Sequence, residues 1–324
     1  MVKANLVVLP IVLAIATILV SCQVSGGQNV TQSEAINEQI TQVGYQSDLK
    51  VLAVESYLAD IAQNVAGERV KVDTLVPLGV DPHAFEPTPQ DVARVAESQV
   101  LIVNGAGLEY WLEELLANAG GDQQVIEAAS GLTSREPQSG EPSSDDANVS
   151  NPHFWLDPQY IFRYVENIRD GLSQADPQGK AIYEKNAAIY IEQLKELDTW
   201  IQGQVEQIPP ERRMLVTNHE SLGYFADRYG FKIAGVIIPS VSSGASPSAK
   251  QLASLIEQIR TAGAPAIFLE TGANRQLAEQ VASETGIKVI TSLFSHSLTA
   301  PEGAAPTYLE MMRYNVRAIV EALK

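Results

Sequence analysis

Lys50-Val51-Leu52-Ala53-Val54-Glu55-Ser56-Tyr57-Leu58-Ala59-Asp60-Ile61-Ala62-Gln63-Asn64-Val65-Ala66, followed closely by Val70-Lys71-Val72-Asp73-Thr74-Leu75-Val76, decides the fold. The opening five residues form a short apolar run of strand length. Tyr57, Leu58, Ile61 and Val65 then recur at helical spacing, and the stretch from Val70 to Val76 returns to a strand pattern. A strand, a helix and a second strand in succession predict a βαβ unit with parallel strands.

The alternation continues outward from this unit. Gln90 to Glu97 reads as a helix, Val100-Leu101-Ile102-Val103 as a buried strand, and Glu109 to Ala119 as a helix with Trp111, Leu112, Leu115 and Leu116 on one face. Residues 134–150 are poor in apolar side chains and read as a mobile surface loop. A long helix is expected from about Pro177 to about Val205, with Ile182, Ala188 or Ile189, Leu194, Leu197 and Ile201 as its apolar stripe, and Pro209-Pro210 to stop it.

Beyond it come strands at Met214–Thr217, Ile233–Ile238, Ala266–Leu269 and Lys288–Thr291. Helices alternate with them at Ser221–Arg228, at Ser248–Ala262 with Ser246 or Ser248 as cap, at Gln276–Thr285, and from about Pro306 to the end. The fold class expected is α/β: two lobes, each a mainly parallel sheet flanked by helices, joined by one long linking helix. The boundaries expected are 49–176 for the N-terminal lobe, 177–208 for the linker and 209–324 for the C-terminal lobe.

Ahead of this body, Lys3 precedes an apolar run from Leu6 to Val20, too short for a comfortable membrane span and laid out like a secretory signal. It ends in Leu19-Val20-Ser21-Cys22, which resembles a bacterial lipobox, so residues 1–21 are expected to be a signal peptide and Cys22 the lipidation site. Cys22 is the only cysteine, as suits export to an oxidising compartment. Polar residues from there to 48 read as a flexible tether. The expectation is an extracytoplasmic monomer held to the membrane by a lipid anchor. A formal charge of −17 repels nucleic acid and argues against it as a partner.

The chain has four histidines, His83, His153, His219 and His296, each just past a strand or in a Pro-bounded loop. Ligands of open α/β sheets bind beyond the carboxyl ends of the strands, so these loops point to one cleft with two histidines from each lobe. A single loop histidine is more often a solvated side chain; four in equivalent places suggest one metal site, since neutral imidazole is a favoured ligand for borderline transition metals. Asp81-Pro82-His83 and Asn151-Pro152-His153 repeat one device, in which proline pre-sets the backbone ahead of the ligand. Asp81, Asp157, Glu220 and Glu270 are the acids near enough in sequence to accept the second ring N–H of a bound imidazole.

Several segments together resemble a known family: Gly79-Val80-Asp81-Pro82-His83-Ala84-Phe85-Glu86-Pro87-Thr88-Pro89-Gln90-Asp91, Asn104-Gly105-Ala106-Gly107-Leu108-Glu109-Tyr110-Trp111-Leu112, Asn151-Pro152-His153-Phe154-Trp155-Leu156-Asp157-Pro158, Asn218-His219-Glu220-Ser221-Leu222-Gly223-Tyr224-Phe225-Ala226-Asp227-Arg228-Tyr229-Gly230 and Tyr308-Leu309-Glu310-Met311-Met312-Arg313-Tyr314-Asn315. They are similar to the signature segments of the metal-specific solute-binding proteins of bacterial ABC importers, the cluster A-I or zinc/manganese receptor family. The resemblance implies a receptor with a rigid linking helix, a divalent cation held by His83, His153 and His219, and an ABC permease as partner. The family's fourth ligand is commonly an Asp; Phe294-Ser295-His296-Ser297-Leu298 puts His296 in that place.

Four imidazoles suit Zn²⁺, whereas Mn²⁺ prefers oxygen donors. Zinc is therefore the expected cargo, with Mn²⁺ as the alternative if Glu220 supplies an oxygen ligand. A surface adhesin built on the same fold is a further reading. A zinc hydrolase is disfavoured, because a catalytic His-Glu pair would need a second histidine where Gly223 stands. Four imidazoles titrating independently would make log affinity rise with a slope approaching about four in acid.

Overall fold

The structure is a computed structural model that describes residues 47–138, 150–270 and 273–324. The signal segment, Cys22, nearly all of the expected tether and most of the expected loop at 134–150 lie outside the described residues.

The first unit forms as expected. β1 (Val51–Ala53) leads through α1 (Ser56–Ala66) to β2 (Val72–Thr74), and β1 pairs with β2 in parallel. α2 (Pro89–Glu97) starts on a reciprocal cap, the Thr88 side chain accepting from the Asp91 N–H and the Asp91 carboxylate from that of Thr88. β3 (Val100–Val103), α3 (Leu112–Ala119) and β4 (Gln124–Glu127) complete a parallel sheet in the order β2-β1-β3-β4.

Two elements were not anticipated. β4 is half polar and lies at the sheet edge, so it lacks the apolar run that marked β3. α4 (Pro158–Ala175) begins with Asp157 as N-cap and Pro158 in its first turn, and buries Ile161, Tyr164, Val165, Ile168 and Leu172 on one face.

The linking helix α5 (Lys180–Val205) begins three residues later than expected, because Pro177–Gly179 form a separate turn of 3-10 helix. Its 26 residues span about 40 Å at 1.5 Å per residue. The buried face is Tyr183, Ala187, Tyr190, Leu194, Leu197, Ile201 and Val205, which corrects the N-terminal half of the expected stripe. Ile189 is 50% exposed. Tyr183 and Tyr190 fill the face there, where the helix packs on α4 and α1.

The second sheet repeats the first. β5 (Met214–Thr217), α6 (Gly223–Tyr229), β6 (Lys232–Val236), α7 (Ala249–Ala262), β7 (Ala266–Glu270), α8 (Arg275–Thr285) and β8 (Lys288–Leu293) give a parallel sheet of order β6-β5-β7-β8. Ser248, not Ser246, caps α7. The C-terminal helix α9 (Tyr308–Leu323) then returns to pack on α5 and to contact α1. Each sheet thus reverses its strand order between its first and third strands, and a crevice opens there at the carboxyl ends. The largest core cluster is shared by both lobes, running from Val51 and Tyr57 through α4 and α5 to Phe268 and Leu323.

Candidate metal centre

His83 sits on a single turn of 3-10 helix, Pro82–Ala84, and the Asp81 carboxylate accepts its backbone N–H at 2.9 Å. The Trp111 indole N–H donates to the Pro82 carbonyl at 3.0 Å, holding that turn against α3. His153 is fixed in the same way: Asn151 Oδ1 accepts the His153 backbone N–H at 3.1 Å and also lies 2.9 Å from its Nδ1. The repeated Xaa-Pro-His device is therefore an Asx cap that sets the ligand backbone. His219 follows the end of β5, its Nδ1 2.9 Å from Glu270 Oε2 at the end of β7. His296 follows β8, with Ser295 Oγ 2.7 Å from its Nδ1.

The four rings meet. His153 Nε2 lies 3.1 Å from His83 Nε2, 3.1 Å from His219 Nε2 and 3.2 Å from His296 Nε2. All four residues are buried, and their donor atoms fall within 4.8 Å of one another. A neutral ring nitrogen has one proton or one lone pair, so His153 Nε2 cannot satisfy three neighbours by hydrogen bonding. Three of the rings have an oxygen at Nδ1, which favours the proton on that side and leaves the Nε2 lone pair facing inward. Converging lone pairs in a buried site call for a cation. Metal–nitrogen bonds of about 2.0–2.1 Å in a tetrahedron place the nitrogens roughly 3.3–3.4 Å apart, close to the separations seen here.

The electrostatics keep most of these ligands neutral. Burial, reinforced by the charges of His296 and His219, drives His83 down to about 3. Burial and the other three histidines hold His153 well below the ordinary imidazole value, and burial also lowers His296 against the pull of Glu270. His219 is the exception: burial lowers it, but the charge and hydrogen bond of Glu270 outweigh this and leave it raised. Burial likewise favours a neutral Glu270, and His219 reverses that.

Of the four candidate acids, Glu270 serves two imidazoles, lying 2.9 Å from His219 and 3.9 Å from His296. It also accepts from the Ser221 hydroxyl at 2.5 Å. Asp81 caps His83 and accepts from Ser243 of the other lobe. Asp157 caps α4 and stands 4.0 Å from Arg228, away from the rings. Glu220 acts on His219 through its charge, and its carboxylate is not part of the converging donor set among the described residues. Asn151 and Ser295 were passed over in the sequence; Asn151 was legible as an Asx residue two before a ligand.

The seam around the centre is polar and continuous. Asn151 Nδ2 donates to the Glu220 carbonyl at 2.7 Å, Tyr224 OH donates to the Asn151 carbonyl at 2.6 Å, and the Trp155 indole N–H donates to the Ser295 carbonyl at 2.6 Å. The histidine loops of one lobe are thereby tied to those of the other.

Known proteins share this frame. The family described as "Zinc-uptake complex component A periplasmic" matches residues 51–322. A manganese-binding lipoprotein, MntA, of Halalkalibacterium halodurans is 34% identical over 275 residues, covering 85% of this chain and 88% of that protein. The Mn-bound periplasmic metal-binding protein of Candidatus Liberibacter asiaticus superposes with a TM-score of 0.75 at 31% identity, over 86% of this chain and 100% of that one. The periplasmic zinc-binding protein TroA of Treponema pallidum gives 0.76 at 27% identity, over 84% and 98%. The chain belongs to this zinc-uptake family of periplasmic components, which are metal-binding receptors of ABC importers and not enzymes.

Proposed function

We propose that this protein is a zinc receptor: an extracytoplasmic chain, anchored through Cys22, that holds one Zn²⁺ on His83, His153, His219 and His296 and delivers it to an ABC permease. In this reading residues 49–176 and 209–324 supply two ligands each across the seam, and α5 joins them. The observation that carries it is the donor set. Four imidazole nitrogens converge without a carboxylate among them, with three Nε2–Nε2 separations of 3.1–3.2 Å. Such a set suits a four-coordinate borderline ion and offers a hard ion no oxygen.

Relatives named for manganese keep Mn²⁺ as the second reading. Competition between Zn²⁺ and Mn²⁺ on chelator-stripped protein separates the two. Zinc is expected to displace manganese from the wild type, and His296→Asp is expected to narrow that preference by introducing an oxygen donor. A wild type that prefers Mn²⁺ overturns the zinc assignment.

A further inference from the structure

Glu55 and Glu109 are buried together at the carboxyl ends of β1 and β3, where the N-terminal sheet reverses its strand order. Glu55 is 1% exposed, and neither of its carboxylate oxygens receives a hydrogen bond. It stands at the N-cap of α1 yet makes no capping bond. Its carboxyl group lies against that of Glu109, which accepts from the backbone N–H of Asn104 at 2.5 Å and of Gly105 at 3.0 Å. In the other lobe the equivalent place, just past the first strand of the sheet, is taken by His219, with Glu270 opposite on the third strand. The C-terminal crevice thus pairs an acid with an imidazole, and the N-terminal one pairs an acid with an acid.

Two buried carboxylates in contact cannot both be ionised. The donors decide which one carries the proton. Two backbone N–H groups from Asn104 and Gly105 favour the anion at Glu109, whereas no neighbouring residue donates to Glu55, so the proton is favoured on Glu55, facing the Glu109 carboxylate. The other groups around the pair do not relieve it: Tyr57 of α1 and Tyr164 of α4 both direct their hydroxyls to Asn104 Oδ1, at 3.2 and 2.5 Å. The influences on Glu55 are burial, Glu109 and its own backbone, none of them a cation.

We propose that Glu55 and Glu109 form a proton-binding site, in which one proton shared between the two carboxyl groups is a structural component of the N-terminal lobe beneath the metal centre. Burial, with the neighbouring carboxylate, raises Glu55 well above the carboxylate range; burial alone lifts Glu109 to about 7, against its backbone donors and the hydrogen bond of Glu55. The pair underlies both lobes' ligand loops. Asn104, bonded to Glu109, donates Nδ2 to the Pro152 carbonyl at 3.2 Å, next to His153. Ser56, next to Glu55, accepts the Leu298 backbone N–H at 2.9 Å, beyond His296.

The sign follows from linkage. A carboxyl whose folded pKa is raised holds its proton in the folded chain and releases it on unfolding, so stability falls as pH climbs from the ordinary value near about 4.3 toward that of the pair. The test uses chelator-stripped protein, so that it stands or falls apart from the zinc reading. Glu55→Gln keeps an N–H donor for Glu109 and has no proton to lose. It is expected to remove about one proton from the slope of log unfolding constant against pH between 5 and 8, and to melt above the wild type at pH 8 with the gap closing toward pH 5. In wild-type protein at pH 7, infrared spectroscopy is expected to show a protonated-carboxyl stretch, absent from Glu55→Gln. An unchanged slope in a folded variant, no such band in the wild type, or a tightly held cation in place of the proton overturns the proposal. The infrared measurement on wild type decides it even if the variant does not fold.

Discussion

Asn151 does two jobs with one side chain: its Oδ1 fixes His153, and its Nδ2 crosses to the Glu220 carbonyl of the other lobe. Loss of an outer partner of a metal-bound histidine commonly costs ten- to a hundred-fold in affinity. Asn151→Ala is therefore expected to weaken zinc by at least about tenfold, as read by competition with a chelator of known strength, with the fold intact. The protons tell more. With His83 at about 3, His153 well below the ordinary imidazole value and His296 also lowered, these three imidazoles give up their protons more readily than His219, which Glu270 raises and which is the last that must lose a proton to bind. Log zinc affinity should therefore rise with a slope near one just below the His219 midpoint, and flatten above it. The slope near four expected of independent imidazoles is what a site that stays open without metal would give. The four histidines were legible from their places after strands. Which acid would face them was not, because Glu270 and His219 meet only when β5 and β7 become neighbours.

At the scale of elements, strands such as Val100–Val103 and the capped helix α7 were legible because local pattern and tertiary role agree. α4 was missed although Asp157 and Pro158 announce its start; its aromatic and β-branched residues, Tyr160, Ile161, Phe162, Tyr164 and Val165, look equally suited to a strand. The α5 stripe was misread where tyrosines replace aliphatic residues. Two substitutions five residues apart test that correction. Leu194→Ala removes a fully buried side chain and should cost about 2–5 kcal/mol, whereas Ile189→Ala, at 50% exposure, should stay within about 0.5 kcal/mol. Urea unfolding of the two variants reads the difference. The junction ahead of α5 depends on Arg69, whose guanidinium meets Asp176 at 2.7 and 2.9 Å while Tyr183 OH donates to the same carboxylate at 2.7 Å. Arg69→Met leaves that buried acid short of its cation and should cost about 3 kcal/mol in the same assay.

Across the whole molecule, one apolar cluster passes through both lobes and α5, so they share a core. The chain from residue 47 onward should unfold in a single transition, and zinc should raise its midpoint in proportion to the logarithm of free metal, as for any ligand bound only by the folded state. Two separated transitions would mean that the lobes melt independently. The central claim is that four imidazoles, and no carboxylate, hold the cargo. X-ray absorption at the zinc edge, on protein loaded with one equivalent, tests it most directly. The account predicts a single shell of four imidazole nitrogens at about 2.0–2.1 Å; a shell with an oxygen donor, or with fewer than four imidazoles, contradicts it.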